Sequence, residues 1–210
     1  MKLYTFPIAP NPTKVRLYLA EKQAAGCAIP VEIIEVHLGK GEHRSEAHLA
    51  RNPFGTLPVL ELDDGRLITE SLAIIEHLEE LNPEPSMIGA TPADKALVRS
   101  MERTLDLGVL ISLGRAVHAT KSPIGHPPNP PVAEAELANA KQVLTWIDGL
   151  LADGRPFAAG DHPTIADFTL AAGLQFARFG DLPLPGDFPN VERWDTAYRA
   201  RDIVQTILIG

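Results

Sequence analysis

The sequence predicts an α/β domain followed by an all-helical domain, and three observations lead to this class. Residues 1–81 alternate strand-like and helical apolar patterns in the order β-α-β-α-β-β-α. The stretch "NPEPSMIGATP" then breaks the alternation with prolines and a glycine, which is typical of a linker. Only helical periodicity follows it. We therefore place the α/β domain at residues 1–81, the linker at 82–91 and the helical domain at 92–210.

The α/β domain contains four strand-like segments, which read "KLYTF", "VEIIEVHL", "LPVLEL" and "RLIT". A helix, "TKVRLYLAEK", separates the first two, and it can provide the crossover that parallel strands need. Pro12 suits the first turn of this helix because proline lacks the N–H that a helix start leaves unpaired. A weak helix, "RSEAHLA", comes next. "DDG" then joins the last two strands as a hairpin turn, and "ESLAIIEHLEEL" closes the domain as an amphipathic helix.

The helical domain is predicted from apolar residues at helical spacing, on either side of a proline-rich loop at residues 122–131. The apolar positions are Leu97, Met101 and Leu105 before the loop, and Leu137, Leu144, Ile147 and Leu151 after it. Farther on, "HPTIADF" has the pattern of a capping box, in which Thr164 and Asp167 exchange hydrogen bonds at a helix start. We expect Asp167 to serve folding rather than chemistry.

The composition excludes several classes of function. The net charge of -8 argues against nucleic acid as a partner, because phosphate binding needs clustered Lys and Arg. No apolar run is long enough to cross a membrane and the first residues lack a signal-peptide pattern, so we expect a cytoplasmic protein with no membrane partner. Cys27 is the only cysteine and the histidines are scattered, so we expect no intrachain disulfide and no metal site.

Several motifs together resemble the cytosolic glutathione transferase family. They are "NPFGTLPVLELDDGRLITES" between Asn52 and Ser71, "TIAD" at 164–167 and "PNVERW" near the end. "APNPTKV" and "LGKGEHRSEAHLARNP" are most similar to the bacterial nu class and to the glutathione-transferase-like domain of the yeast nitrogen regulator. The resemblance implies a thioredoxin-like N-terminal domain, an all-helical C-terminal domain and a homodimer. It also implies that glutathione is a co-substrate, with no permanently bound cofactor.

The resemblance implies a glutathione site at two motifs of the α/β domain. A cis peptide between Leu57 and Pro58 would expose the Leu57 backbone to the cysteinyl unit, as an added strand; the alternative is an ordinary edge-strand proline. Glu70 would accept from the α-ammonium of the γ-glutamyl unit, and Ser71, at a helix N-terminus, would bind its carboxylate. The alternative role for Ser71 is an N-cap, and the two roles are compatible.

The loop "GKGEHR" would face the glycine carboxylate of glutathione. His43 matches a histidine of the yeast regulator, and Lys40 is a cationic neighbour. A solvated charged loop is the alternative.

Activation of the glutathione thiol is the point at which this chain departs from most relatives, which use a Tyr, Ser or Cys near the end of the first strand. Here Ala9 and Pro10 occupy the matching positions, and Asn11 matches an asparagine that the relatives keep. Lowering a thiol pKa by one to two units needs about 1.4 to 2.7 kcal/mol, and a hydrogen bond to a charged group supplies about 1.5 to 3 kcal/mol. Asn11 is thus the predicted thiolate-stabilising residue; its alternative role is an N-cap before Pro12.

The second substrate is expected against the helical domain, where Arg103, Leu107, Leu110, Arg115 and His118 lie on the helix that lines this pocket in relatives; core packing is the alternative for most residues of this helix. The leading hypothesis is an enzyme whose glutathione thiolate attacks a small electrophile, peroxide or disulfide. A non-catalytic glutathione-binding or scaffold protein is the alternative. The sequence contains no Cys-x-x-Cys motif, which disfavours a thioredoxin-like reductase.

Overall fold

The α/β domain forms a four-stranded mixed sheet with its helices packed against it. We describe residues 1–208 of a computed structural model. The strand order is β2-β1-β3-β4, with β1 parallel to β2 and both other pairs antiparallel, as the predicted crossover and hairpin require. The strands are β1 (Lys2–Thr5), β2 (Glu32–Glu35), β3 (Val59–Glu61) and β4 (Leu67–Thr69), and the helices are α1 (Pro10–Ala24), α2 (Glu46–Leu49) and α3 (Ser71–Leu81).

The second domain is helical, which confirms the predicted fold class. Its first helix, α4 (Pro92–Leu105), continues through a π-helical turn (Asp106–Leu110) directly into α5 (Ile111–Thr120). The remaining helices are α6 (Pro130–Leu151), α7 (Ile165–Phe179), α8 (Pro189–Arg199) and α9 (Asp202–Gln205). Helix α7 is buried over most of its length and packs on α1, α4 and α5, so it is the centre of the joint core. Within residues 1–208, no helix combines the length and apolarity that a bilayer crossing needs.

Two helices begin at other residues than the sequence suggested. Helix α1 begins at Pro10, because the Ala9 carbonyl already accepts from the N–H of Thr13 at 3.0 Å and Pro10 suits the first helical position as well as Pro12 does. Asn11 therefore lies inside the first turn, and its alternative role as an N-cap is wrong. Helix α3 begins at Ser71 itself, so the cap position belongs to the preceding residue and the N-cap alternative for Ser71 is also wrong.

Buried charges on α1 join the two domains. The ammonium of Lys14, whose side chain is 1% exposed, lies 2.6 Å from Glu102 Oε1 and 2.7 Å from Asp106 Oδ1. The Thr169 hydroxyl donates to the same Glu102 oxygen at 3.1 Å. Lys14 comes from the α/β domain, whereas Glu102, Asp106 and Thr169 all come from the helical domain. A buried charge is tolerated only when it is paired, so this cluster holds the domains in one arrangement.

The predicted capping box at the start of α7 forms, and it surrounds a buried carboxylate. Asp167 accepts from the backbone N–H of Thr164 at 2.9 Å and of Ala158 at 2.7 Å. Burial is the largest influence on this group and raises the pKa of Asp167 to about 6, against the opposing effect of these hydrogen bonds.

We expect Lys14→Met to lower the free energy of unfolding by about 3 to 5 kcal/mol, because it leaves two buried carboxylates without their cation. Lys2→Met is the matched control, since Lys2 forms an ion pair with Glu61 on the surface and its loss should change stability very little. Urea unfolding of both variants measures the difference. Equal effects of the two substitutions would contradict the structural role assigned to Lys14.

The raised pKa of Asp167 predicts a pH-dependent stability. Between about pH 4 and pH 6 the unfolded chain ionises this group while the folded chain keeps it protonated, so its contribution is complete below pH 4 and is lost as pH rises to 6. Two pKa units correspond to about 3 kcal/mol. The unfolding free energy of the native chain minus that of Asp167→Asn should therefore fall by about this amount from pH 4 to pH 6. Urea unfolding at constant ionic strength tests this, and a difference that does not vary with pH would refute the assignment.

Candidate active site

Two cavities lie on either side of the N-terminus of α1. The first, which we call the polar cavity, has a volume of about 370 Å³. Both domains line it with polar side chains, mainly Asn11, Glu70, Ser71, Glu76, Arg103 and Asp106. The second, which we call the apolar cavity, has a volume of about 240 Å³ and includes Phe6, Ala9, Pro10, His118, Ile124 and Phe176 in its lining.

Three consecutive residues at the N-terminus of α1 contribute to the two cavities. Ala9 and Pro10 line the apolar cavity, and Asn11 lines the polar one. A reactive atom bound at Asn11 would therefore lie one residue along the chain from the wall of the apolar cavity.

Asn11 and Ser71 are directly hydrogen-bonded across the polar cavity. The Ser71 hydroxyl donates to Asn11 Oδ1 at 3.1 Å, and Ser71 is buried. This bond occupies the carbonyl oxygen of the Asn11 amide, whose nitrogen has no hydrogen-bond partner within residues 1–208. The structure thus brings together two residues sixty positions apart, and it leaves the amide N–H groups of Asn11 available as donors.

Glu70 adopts an uncommon backbone conformation beside the start of α3. Its φ of 69° and ψ of 120° lie in a region that L-residues rarely occupy, and the residue is exposed. Such conformations cost about 1 to 3 kcal/mol and persist where the surrounding structure enforces them. The first N–H groups of α3 lie beside this carboxylate, so an anion-binding helix end and an acidic side chain are neighbours.

The Leu57–Pro58 peptide is cis, as the resemblance implies. Two buried side chains, Asn52 and His48, make hydrogen bonds to the turn that precedes this peptide. The sequence did not predict this role for either residue. Asn52 donates to the carbonyl of Thr56 at 3.0 Å and to its hydroxyl oxygen at 2.8 Å, and His48 Nε2 lies 3.1 Å from the same carbonyl. Among the described residues, the backbone N–H and C=O of Leu57 have no hydrogen-bond partner. They are therefore free to pair with an extended ligand.

His43 and Lys40 lie in two short 3₁₀ turns at residues 38–40 and 42–44. Lys40 is exposed, while His43 is partly buried. Burial, followed by the neighbouring Arg44 charge, lowers the pKa of His43, so its ring is neutral at pH 7. A Cβ at Gly55 would come within 2.9 Å of the His43 carbonyl oxygen, so the histidine turn packs against the turn that leads to Leu57. A glycine-carboxylate role for this loop stays a prediction.

Of the five residues predicted for the second-substrate pocket, His118 lines the apolar cavity and the other four do not. Arg103 lines the polar cavity instead. Leu107 is 54% exposed on the π-helical turn and Arg115 is exposed in an ion pair with Glu136, and neither lines one of the two cavities. The helical periodicity indicates which residues share a face, but the π-helical turn changes the direction of the later residues.

The apolar cavity is instead completed by residues outside that prediction. Pro123 and Ile124 come from the proline-rich loop, and Phe176 and Phe179 come from the last turns of α7. In the sequence, the aromatic pair Phe176 and Phe179 could have indicated a cavity wall. The same pattern is equally typical of residues in a hydrophobic core.

His118 is the one titratable side chain among the described residues that line the apolar cavity. Its Nδ1 lies 2.9 Å from the hydroxyl of Ser122, and its ring packs on Phe176 with the centroids 5.6 Å apart. Burial, followed by the neighbouring His126, lowers the pKa of His118. His118 therefore contributes a neutral imidazole to the cavity that Ala9 and Pro10 also line.

Comparison with known proteins identifies the family. A family model described as "Glutathione S-transferase, N-terminal domain" matches residues 3–86, and one described as "Glutathione S-transferase, C-terminal domain" matches residues 130–194. The chain belongs to the glutathione S-transferase family. The family predicted from the motifs is confirmed, whereas the resemblance to the nu class and the yeast nitrogen regulator stays a prediction.

Individual relatives of this glutathione S-transferase family member are similar over nearly the whole chain. "Glutathione S-transferase 2" of Saccharomyces cerevisiae is 33% identical and covers 99% of this chain and 89% of its own. The crystal structure of Gtt2 from Saccharomyces cerevisiae superimposes with a TM-score of 0.87 at 33% identity, covering 99% of this chain and all of its own. A maleylacetoacetate isomerase of Pseudomonas aeruginosa is 33% identical over 86% of this chain and 83% of its own.

The strained backbone at Glu70 predicts a difference in stability between two substitutions. Both remove the carboxylate, so the difference between them reports only on the backbone conformation. Glycine accepts positive φ without steric cost, so we expect Glu70→Gly to be more stable than Glu70→Ala by about 1 kcal/mol. The matched control is Ala73→Gly, two residues into α3, where glycine should be the less stable residue by about 1 kcal/mol. Thermal and urea unfolding measure the order at both positions. If alanine is the more stable residue at position 70 as well, the backbone there is not strained.

Proposed function

We propose that this chain is a glutathione transferase-type enzyme. Glutathione binds in the polar cavity with its sulfur beside Asn11, and the thiolate reacts with an apolar second substrate held in the apolar cavity. The observation that carries the proposal is that consecutive residues, Ala9 and Pro10 on one side and Asn11 on the other, line the two cavities. Family membership supports it, since the Saccharomyces cerevisiae relative named above is called a glutathione S-transferase.

Each polar group of glutathione has a partner of the right kind. Glu70 accepts from the α-ammonium, and the backbone N–H of Ser71 at the start of α3 donates to the α-carboxylate, because the Ser71 hydroxyl proton is already donated to Asn11. The free backbone groups of Leu57 pair with the cysteinyl unit as one added strand. Lys40 and His43 remain the proposed partners of the glycine carboxylate.

Asn11 stabilises the thiolate in this proposal. Its carbonyl oxygen is occupied by Ser71, so its amide N–H groups are the donors that the structure leaves free. A charge-assisted bond of this kind contributes about 1.5 to 3 kcal/mol, which corresponds to a thiol pKa lowered by about one to two units. The amide holds the anion but takes no proton itself.

His118 accepts the thiol proton. Its lowered pKa keeps the ring neutral at pH 7, which a general base requires. When its Nδ1–H donates to Ser122, the Nε2 lone pair is available as the acceptor. The sequence prediction named no proton acceptor, and this residue supplies one.

The lining of the apolar cavity favours an uncharged second substrate. None of the described residues that line it carries a permanent charge, and its volume suits a small aromatic electrophile or an apolar hydroperoxide. A substrate of the maleylacetoacetate type carries two carboxylates, and the cavity offers no cation to pair with them. Reduction of a glutathionyl disulfide is the third activity that the proposal includes.

A homodimer and a cytoplasmic location are also part of the proposal. Phe54 is 75% exposed, so it does not cover the core of its own subunit, and an apolar side chain of this size is one that a second subunit can bury.

Two variants test the roles of Asn11 and His118 separately. Asn11→Ala should raise the apparent pKa of bound glutathione, followed by thiolate absorbance in the ultraviolet, by about one to two units. His118→Gln should leave that pKa nearly unchanged and lower kcat/KM by about 100-fold or more, because a general base contributes on that scale. An unchanged pKa in Asn11→Ala would remove this residue from its role.

The class of function is tested by calorimetry and a substrate panel. We expect glutathione binding together with turnover of an aromatic halide or an apolar hydroperoxide that exceeds turnover of a maleyl dicarboxylate. Binding without turnover of these substrates or of a glutathionyl disulfide would instead favour a non-catalytic glutathione-binding protein.

A further inference from the structure

We propose that residues 123–128, which we call the lid, cover the apolar cavity while the ring of His118 is neutral and open it when the ring becomes charged. Access of a ligand to this cavity would then depend on pH. The inference goes beyond the proposed function and does not depend on it, because the movement needs no glutathione.

The lid forms part of the wall of the apolar cavity. Pro123 and Ile124 line this cavity together with Phe176 and Phe179 of α7. All six residues of the lid are exposed, and Ile124 is 43% exposed. The lid therefore buries little apolar surface, and its detachment requires little free energy compared with the unfolding of a core element.

His118 is the residue that attaches the lid to α5. Its Nδ1 lies 2.9 Å from the hydroxyl oxygen of Ser122, which directly precedes the lid. Ser122 accepts two hydrogen bonds from the lid, at its hydroxyl from the N–H of Ile124 at 3.4 Å and at its carbonyl from the N–H of Gly125 at 3.2 Å. Among the described residues, the lid makes no other hydrogen bond, and its three prolines have no N–H to donate.

The other end of the lid has an attachment that does not titrate. The N–H of Asn129 donates to the carbonyl of Ala119 at 2.7 Å, and the Asn129 side chain caps α6 by accepting from the N–H of Val132 at 3.4 Å. The lid is thus fixed at its C-terminal end and held at its N-terminal end through a histidine.

A charge on His118 is unfavourable while the lid is closed. Its ring packs on Phe176, and its centroid lies 5.4 Å from that of His126, which the lid carries. Within residues 1–208, no carboxylate forms an ion pair with His118. The charged groups of the surrounding elements are paired with one another: Arg115 with Glu136, Lys121 with Asp181, Arg178 with Asp195, and His37 with Glu35.

Protonation of His118 favours the open lid. Burial, followed by the charge of His126, lowers the pKa of His118 in the closed arrangement. An open lid would let water solvate the imidazolium and would carry His126 away from it, so the pKa is higher in the open state. The ratio of open to closed lid then increases about tenfold for each unit by which the two pKa values differ. We therefore expect a closed lid at about pH 8, and opening as pH falls below about 6.5.

The experiment is NMR of the isoleucine δ1 methyl groups of the full chain, titrated from about pH 8 to about pH 5 without glutathione. Phe176 and Phe179 line the same cavity as Ile124, so their rings should shift its methyl signal while the lid is closed. This ring-current shift should be lost as pH falls, with the same midpoint as the ring protons of His118. The methyl group of Ile147, which is fully buried in the core, is the internal control and should not move.

Variants of the lid and its attachment test each part of the device. His118→Gln should abolish the pH dependence of the Ile124 signal, and Ser122→Ala should give the open-lid signal even at about pH 8, because it removes the attachment. His126→Gln should give a smaller change at a higher pH, because it removes a charge that lowers the pKa of His118. His162→Gln is the matched control, since His162 is exposed and does not line the apolar cavity, and it should behave as the native chain.

An Ile124 signal that stays constant while His118 titrates would overturn the inference, and so would an unchanged pH dependence in His118→Gln. A closed-lid signal in Ser122→Ala would contradict the attachment through His118. An equal change at Ile147 would show general unfolding instead of a lid movement and would also overturn the inference. Failure of the chain to bind glutathione would refute the proposed function and leave this inference standing.

Discussion

The charge of Lys14 is the constraint on which the arrangement of this molecule depends. Helix α1 packs on α7 and α3, and Lys14 on it is buried, so its charge must find counter-ions inside the protein. Glu102 and Asp106 supply them from the other domain. Separation of the domains would expose apolar surface and would also break both ion pairs of Lys14. These ion pairs favour one relative arrangement of the two domains. Because residues of both domains line the polar cavity, that arrangement also determines the shape of the cavity.

Asp106 connects this structural cluster to the proposed chemistry. One of its oxygens pairs with Lys14 and the other with Arg103, so the same carboxylate that fixes the interface also orients a side chain of the polar cavity. It is the first residue of the π-helical turn, where α4 gives way to α5. Such turns are frequent at functional sites because they redirect side chains without ending the helix. Lys14 lies three residues after Asn11, one helical turn along α1, so the interface also positions the predicted thiolate-stabilising residue.

The order of strands and helices could be predicted from the sequence because each element carries its own periodicity and boundary signals. The cis peptide before Pro58 and the pair Glu70–Ser71 could be located because they occur within a contiguous motif. Pairings between the domains could not be, since periodicity shows which residues share a face but not what that face meets. From the sequence alone, Lys14 would be predicted to be a solvent-exposed helix residue. Its partners Glu102 and Asp106 lie about ninety positions farther along the chain. The Asn11–Ser71 bond depends on the same tertiary placement.

At Ala9 and Pro10, after the first strand, this chain has no hydroxyl or thiol side chain where most relatives have one. In the proposed mechanism two residues therefore share its role: Asn11 stabilises the thiolate and His118 accepts the proton. A hydroxyl or thiol can both donate to a thiolate and exchange a proton, whereas an amide can only donate. Apolar walls disfavour the thiolate by desolvation, so the donor at Asn11 has to offset that cost before it lowers the thiol pKa at all. The proton needs a separate acceptor, and His118, which lines the apolar cavity, has a pKa lowered by burial. The proposed mechanism therefore takes the donor from the polar cavity and the proton acceptor from the apolar one.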